Sequence, residues 1–210
     1  MSKKNDNEDF FMNTEGDQIS MIAEISTEPE GDDILKLEFD KDIPIMPLRN
    51  MVMFPHVVMP VTIGRTSTLK LVNMAYKKKQ PIVLACQVSA ETDEPGYSDL
   101  YHVGVVARVL RVFDMPGGTT TAIMQSSGPR VHVDSIVRTY PYMKGKVTPL
   151  DEVEVDENSD EFKALMESCK DLSNKYIEKS ERLAPDTAFA IKHLDHPIIL
   201  VNFICANFPF

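Results

Sequence analysis

The chain has 210 residues, enough for one large domain or two small ones with a buried core. Its apolar content is ordinary for a globular protein, and no stretch is long and apolar enough to predict a transmembrane helix. The N-terminus carries no signal-peptide pattern, so we expect a cytoplasmic protein. Cys86, Cys169 and Cys205 form no Cys-x-x-Cys pair and are predicted to be reduced, buried thiols.

The acidity of the chain is concentrated at its N-terminal end. Residues 1–42 contain 4 Lys/Arg and 13 Asp/Glu, a net charge of −9, out of −10 for the whole chain. This composition predicts a solvated, disordered leader, in which the alternating residues 34–39 are compatible with a short strand. The remaining residues are nearly neutral and show no basic stripe, so we expect no nucleic acid as a partner.

Residues 43–150 are rich in strand signals. Pro44 and Pro47 suit an edge strand or a strand start, and a second short strand is predicted over 57–63. A fully buried strand is predicted over 81–88 and is followed by an acidic loop. Further strands are predicted over residues 103–113, 119–125, 131–140 and 143–148, with breaks at 114–118 and 126–129. So many strands predict a small, strongly bent β-barrel or pseudo-barrel.

One helix is predicted to be inserted early in this β-region. It begins at Thr66 or Ser67 and ends before Pro81, with a lysine run in its last turn where the helix dipole favours cations. Its apolar face is predicted to contain Leu69, Val72, Ala75 and Tyr76.

Residues 151–210 are predicted to form a helical subdomain after an acidic linker over 151–156. Asn158 or Ser159 is suited to cap the first helix, Pro185 opens a second that runs to about residue 194, and a third covers 198–207. The third helix is apolar on almost every side, so we expect a further helix or another chain to cover it, and the subdomain to be truncated. The first helix carries an apolar stripe of Phe162, Leu165, Met166, Cys169, Leu172, Tyr176 and Ile177.

Motifs for catalysis or cofactor binding are missing from the sequence. It contains no phosphate-binding loop and no Gly-x-Ser-x-Gly elbow, and spacing singles out no serine as a nucleophile. His193 and His196 with Cys205 form the one candidate metal set, but surface or capping roles are favoured because the pair spans a helix break. We therefore predict no catalytic, cofactor-binding or metal-binding residue. His56, His102 and His132 are isolated and are read as surface or hydrogen-bonded histidines.

One stretch carries more information than the rest. The run Pro47-Leu-Arg-Asn-Met-Val-Met-Phe-Pro-His56, followed by Met59-Pro60 and Ile63-Gly64-Arg65, resembles the opening motif of the Lon protease N-terminal domain. Met46 stands where that family commonly has leucine. Ile82-Val-Leu-Ala and Gln87 are similar to the second motif of the family.

The later motifs follow in the same order as in the family. Asp99-Leu-Tyr-His-Val-Gly-Val-Val-Ala-Arg108 resembles its third signature, and Gly128-Pro-Arg-Val131 resembles its glycine-containing turn. The family's lead-in to that turn is replaced here by Gln125-Ser-Ser127. Residues 188–191 and 200–204 are similar to the first helices of the family's helical bundle, so the resemblance covers residues 43–208.

The resemblance implies an α+β fold, with a PUA-like β-domain over 43–150 followed by the start of a helical bundle over 151–210. It also implies that the full protein is an ATP-driven, hexameric serine protease with a Ser–Lys dyad. The ATP, Mg²⁺ and dyad sites belong to modules that these residues do not contain. The chain itself is therefore predicted to lack peptidase and ATPase activity.

The implied function is that of a module that binds unfolded or tagged protein substrates and helps to arrange the Lon subunits. Such binding needs adaptable apolar surface, which methionine supplies. Met51, Met53, Phe54 and Met59 are the predicted substrate-binding residues. The alternative is that these methionines fill the barrel core. A stand-alone Lon-domain adaptor or small-ligand receptor and a PUA-like RNA-binding module are the competing functions.

Overall fold

The computed structural model describes residues 24–25, 38–115, 118–151, 156–180, 183 and 185–208. Within these ranges the chain forms seven strands, four α-helices and a short 3₁₀ turn at Tyr97–Asp99. The elements are β1 Glu24–Ile25, β2 Ile43–Leu48, β3 Val57–Ile63, α1 Thr66–Lys78, β4 Ile82–Gln87, β5 Leu100–Asp114, β6 Thr120–Arg138, β7 Lys144–Pro149, α2 Asp160–Lys179, α3 Pro185–His193 and α4 Pro197–Asn207.

The strands form one sheet in the order β1-β3-β6-β5-β4-β2-β7. Only the β2–β4 pair is parallel among the described strands. The long strand β6 pairs with β3 and β5 and, through its second half, with β7. Because β7 also pairs with β2, the strands β2, β4, β5, β6 and β7 close into a ring, as the predicted barrel requires.

Two apolar cores lie on the two faces of the ring strands. In β4, Ile82 and Leu84 face the first core, whereas Val83 and Ala85 face the second. A strand that is buried on both faces carries mainly apolar side chains, which explains the continuous apolar run that predicted it. The first core lies beneath α1 and includes Met46, Leu48, Val61, Leu71 and Met124, while the second includes Ile43, Ile45, Val106, Val133 and Met143.

The inserted helix α1 differs in detail from the prediction. It starts directly after Arg65, and no side chain of the described residues caps it. Tyr76 is exposed and Leu69 is only half-buried, so the predicted apolar face was wrong by about one position. The buried stripe includes the small side chains of Thr68 and Ala75, which allow α1 to approach β5 closely. The buried residues of α1 are Thr68, Leu71, Val72 and Ala75.

Strand β6 runs through the break that was predicted at 126–129. Its register against β5 shifts between Val105 and Ala107, where the partners on β6 change from Arg130 to Ser126. A bulge of this kind accommodates extra residues and bends the strand without ending it. The residues that predicted a break therefore do interrupt the regular pairing, but they form a bulge and not the end of a strand.

Two residues of the acidic leader form a strand. Glu24–Ile25 pairs with β3, so this part of the predicted disordered leader has defined structure. Phe39 lies in a turn, although it was predicted to end a strand over 34–39, and it packs against the second core. Glu38 is also described and belongs to no strand, and residues 34–37 of the predicted strand lie outside the described residues.

The helical part has a core of its own. Ser159 caps α2, as predicted, by accepting a hydrogen bond from the Phe162 amide at 3.3 Å. The third core is formed mainly by Ile177, Ile191, Leu200 and Phe203. Only part of the predicted apolar stripe of α2 is covered, and several apolar side chains of α2, α3 and α4 are exposed: Leu165, Leu172, Tyr176, Phe189, Ile198 and Val201.

Candidate functional site

A recess opens beside the N-terminal end of α1. It consists of a cleft of about 70 Å³ and an adjoining groove of about 690 Å³. Both are lined by Pro47, Gly64, Arg65 and Thr68, so they form one continuous depression, which we call the α1 recess. The groove is bounded by α1, by the loop over 93–96 and by the segment over 139–143.

The cleft lies where β2 and β3 approach each other without pairing. It is lined by the end of β2 and by Val61 and Thr62 of β3. The Ile45 amide donates a hydrogen bond to the Met143 carbonyl at 3.0 Å, so this amide points away from β4. Alternate residues of a strand direct their backbone groups to the same edge, so Pro47 shares this edge and supplies no N–H there. The proline that predicted an edge strand thus helps to keep the seam open.

The loop over 93–96, which bounds the groove, is held in place by three side chains that all donate to one backbone carbonyl. The Thr92 carbonyl accepts hydrogen bonds from Arg65 Nη2 at 2.9 Å, Gln87 Nε2 at 3.0 Å and Arg49 Nη2 at 3.3 Å. Gln87 Oε1 in turn accepts from Arg65 Nη2 at 2.5 Å. We call these four residues the Thr92 hub. Arg49 also bonds Asp93 at 2.7 Å.

The buried members of the Thr92 hub determine the loop position most strongly. Gln87 is 4% exposed, so its hydrogen bonds are shielded from water. The Arg49–Asp93 ion pair is exposed, and such pairs contribute less than about 1 kcal/mol. Burial, followed by repulsion from Arg49, lowers the pKa of Arg65, and its buried Nε has no hydrogen-bond partner among the described residues.

The groove presents apolar, aromatic and charged groups together. Arg65 and Lys70 lie on the α1 side, and Asp93 and Glu94 lie on the loop side. Lys70 Nζ lies 5.5 Å from the ring centroid of Tyr140, a cation–π distance. Tyr140 is 78% exposed. Charges of both signs beside an exposed aromatic ring fit a polypeptide better than a phosphate, which would meet the two carboxylates.

The structure does not bring the four predicted substrate-binding residues together in the α1 recess. Met51 is half-buried and lines the cleft. Met53 is 6% exposed and lies in the first core. Phe54 and Met59 are half-buried, pack against the first core and do not line the recess.

Sequence reasoning missed the residues that shape the recess. Arg49, Arg65 and Gln87 each stand inside a motif of the Lon resemblance, so their position in those motifs was a usable signal. Lys70 and Tyr140 carried no such signal, because their meeting depends on the chain returning after β6.

The side chain of Ser126 in β6 holds the end of the opening motif in place. Its hydroxyl donates to the Phe54 carbonyl and accepts a hydrogen bond from the Val57 amide at 3.2 Å. Ser126 is fully buried, so these bonds hold the turn between Phe54 and Val57 against β6. The replacement of the family's lead-in at 125–127 therefore places a structural hydroxyl at this point.

In the described part of the chain, no group of three or more His, Cys, Asp or Glu side chains is placed to hold a metal ion. The three thiols are unpaired and half-buried rather than fully buried. Burial raises the pKa of Cys86 and of Cys205, which favours the protonated thiol.

His132 makes a hydrogen bond, as the sequence suggested. Its Nδ1 donates to Asp134 Oδ1 at 2.9 Å, and the Thr148 hydroxyl donates to Asp134 Oδ2 at 2.8 Å. These bonds, that of His132 first, lower the pKa of Asp134 below its ordinary value of 3.8. A carboxylate with a depressed pKa stabilises the fold above its unfolded pKa, and this contribution is lost as the pH falls through the folded pKa.

We expect His132→Ala to raise the pKa of Asp134 toward its ordinary value. The accompanying loss of stability near neutral pH should be less than about 0.5 kcal/mol, because the pair is exposed. An NMR titration of the Asp134 carboxyl carbon between pH 2 and 6 measures this change in pKa. Thr148→Val, which removes the second hydrogen bond, should raise the pKa of Asp134 by less. An unchanged midpoint in His132→Ala would show that the hydrogen bond is absent in solution.

Comparison with proteins of known structure identifies the fold. The N-terminal domain of the Mycobacterium avium complex Lon protease superposes with a TM-score of 0.61 at 22% identity, covering 78% of this chain and 81% of that one. The predicted α+β class is confirmed: a mixed seven-stranded sheet with a few helices, as in a Lon N-terminal domain.

Sequence comparison then identifies the family. The profile of the "ATP-dependent protease La (LON) substrate-binding domain" matches residues 42–210. The Lon protease of Parabacteroides distasonis is 38% identical over 92% of this chain, and that of Flavobacterium johnsoniae is 34% identical over 92%. The chain therefore belongs to the Lon substrate-binding domain family, which supports the main functional prediction over the adaptor and RNA-binding alternatives. It spans about a quarter, 24%, of the length of each of these two relatives.

Proposed function

We propose that this chain is the substrate-recognition module of an ATP-dependent Lon-type serine protease of the cytoplasm. In this proposal, extended segments of unfolded or tagged proteins bind in the α1 recess. The observation that carries the proposal is the recess itself, an open seam that continues into a groove of about 690 Å³. ATP hydrolysis, with its Mg²⁺, and peptide-bond cleavage would reside in other modules of the full protein.

The chemistry of the recess supports an unfolded segment as its ligand. Met51 offers an adaptable apolar surface in the cleft, and Tyr140 offers a rigid aromatic surface in the groove. Arg65 and Glu94 supply opposite charges to side chains of varied sequence. The predicted contributions of Met53, Phe54 and Met59 to substrate binding stay predictions. Because these side chains lie in or against the first core, we propose that they act indirectly, by packing beneath the recess.

We also propose that the helical part contributes to assembly with other Lon subunits or modules. Its exposed apolar residues, such as Leu165, Leu172 and Phe189, support this role. No described helix combines the length and the apolar character that a membrane span requires.

If unfolded chains bind in the α1 recess, removal of the exposed Tyr140 ring should weaken their binding. Tyr140→Ala should weaken binding of reduced, carboxymethylated lactalbumin about tenfold, since truncation of a central aromatic contact typically costs more than 1 kcal/mol. Fluorescence anisotropy with the labelled probe measures the dissociation constant, and native lactalbumin serves as the folded counterpart.

Tyr101→Ala is the matched control, because Tyr101 is 56% exposed and lies outside the recess. It should leave the affinity unchanged. Equal losses in both variants, or no loss in Tyr140→Ala, would contradict the α1 recess as the binding site.

A further inference from the structure

In the described part of the chain, strand β3 has one edge that is largely without a partner strand. Its inner edge pairs with β6 from Val58 to Ile63. On its outer edge, β1 pairs with Val57 and Val58 only. Among the described strands, none pairs with the rest of this outer edge. A strand edge of this kind displays backbone groups that can bind another extended chain.

The contacts of Ser126 show which backbone groups face outward. The Val57 amide donates to Ser126 Oγ at 3.2 Å, and the Val57 carbonyl oxygen lies 3.1 Å from the same Oγ. Val57 therefore faces β6, and alternation along the strand directs Val58, Pro60 and Thr62 to the outer edge. Val58 lies opposite Glu24, so the backbone of Glu24 supplies the pairing groups of the leader.

Pro60 fits this assignment. A proline in a strand is tolerated where its missing N–H faces an unpaired edge, and Pro60 occupies such a position. The outer edge thus offers the amide and carbonyl of Thr62 and the carbonyl of Pro60, and it offers those of Val58 once Glu24 has left. A chain that pairs along it is guided toward the α1 recess, because Thr62 and Gly64 line the cleft.

We infer that the outer edge of β3 is a strand-addition site for extended polypeptide, and that the leader at Glu24–Ile25 occupies its start as an intramolecular competitor. This inference deepens the proposed function and rests on it. The pairing of the leader with β3 shows that this edge binds an extended chain in antiparallel register. Helix α4 contacts both β1 and β3, so the leader strand is also held beside the helical part.

Competition has a measurable consequence. An external segment binds the edge only in molecules whose leader has left it, so the apparent affinity falls by the fraction of chains with a free edge. Weakening the leader without touching β3 must therefore tighten binding of an external chain. Glu24→Pro removes the amide that pairs with Val58, whereas Ile25→Pro removes an amide that faces away from β3.

The experiment compares these two proline variants in the 210-residue chain. Glu24→Pro should bind reduced, carboxymethylated lactalbumin about fivefold more tightly than the wild type, a factor set by the loss of one backbone hydrogen bond. Ile25→Pro and the charge control Glu24→Gln should bind as the wild type does. Hydrogen exchange should show the Val58 amide less protected in free Glu24→Pro and protected again when the probe is bound.

The outcomes separate this inference from the proposed function. If Tyr140→Ala weakens binding but Glu24→Pro changes neither the affinity nor Val58 exchange, the recess stands and the β3 edge is overturned. If Glu24→Pro tightens binding and the probe protects Val58 while Tyr140→Ala has no effect, the edge is supported and the recess fails. If the probe binds none of these variants, both proposals are wrong.

Discussion

Replacement of Gly145 by alanine is expected to lower the free energy of unfolding by about 3 kcal/mol, at the upper end of the cost of overpacking. Gly145 lies in β7 where that strand meets both of its neighbours, opposite Ile43 of β2 and Ile136 of β6. A Cβ at this position would lie 2.2 Å from the Ser135 carbonyl oxygen and 2.8 Å from Ile45 Cδ1. Relief of the first contact requires movement of backbone, so the ring would open or distort at its closure point.

Urea unfolding followed by circular dichroism measures this loss. Gly64→Ala is the matched control, because a Cβ there meets no atom within 4 Å. We expect its stability to stay within about 0.5 kcal/mol of the wild type, as for ordinary surface substitutions. If both variants unfold at the same urea concentration, the close approach of β7 and β6 at Gly145 does not exist in solution.

The second large effect is expected at Gln87. Gln87→Met keeps the length of the side chain but removes the acceptor for Arg65 and the donors to the carbonyls of Ser89 and Thr92. Because these groups are largely buried, the loss should be about 2 kcal/mol of stability. The loop over 93–96 loses its anchor, so binding of unfolded lactalbumin in the groove should also weaken, by about tenfold.

Gln80→Met provides the comparison for Gln87→Met, since it makes the same chemical change at a half-buried glutamine that follows α1. Its stability and affinity should match those of the wild type. A stable Gln87→Met protein whose probe affinity is unchanged would show that the Thr92 hub does not position the groove wall.

Much of the fold was predictable because its signals are local. The buried strand β4 was evident from its apolar run, and the start of α2 was evident from Ser159. The bulge in β6 was not, because a Ser-Ser-Gly-Pro segment is compatible with a turn or a bulge and the pairing with β5 decides between them.

The recess was the least predictable feature, because long-range contacts create it. Arg65 and Thr92 are separated by 27 positions, and Lys70 meets Tyr140 only after six of the seven strands and α1 have been placed. The methionine pattern pointed at the right stretch of chain. It gave no information on which side chains would be buried, and of Met51, Met53 and Met59 only Met51 lines the recess.

The pairing of β2 with β7 also has a consequence for biosynthesis. Strand β2 ends at Leu48, but β7 begins at Lys144, so at a translation rate of 5–20 residues per second the first strand of the ring waits roughly 5–20 s for the last. During that interval β2 exposes an edge to other nascent chains on the ribosome. Pro47 removes an amide donor from this edge, which limits wrong pairing before the ring closes.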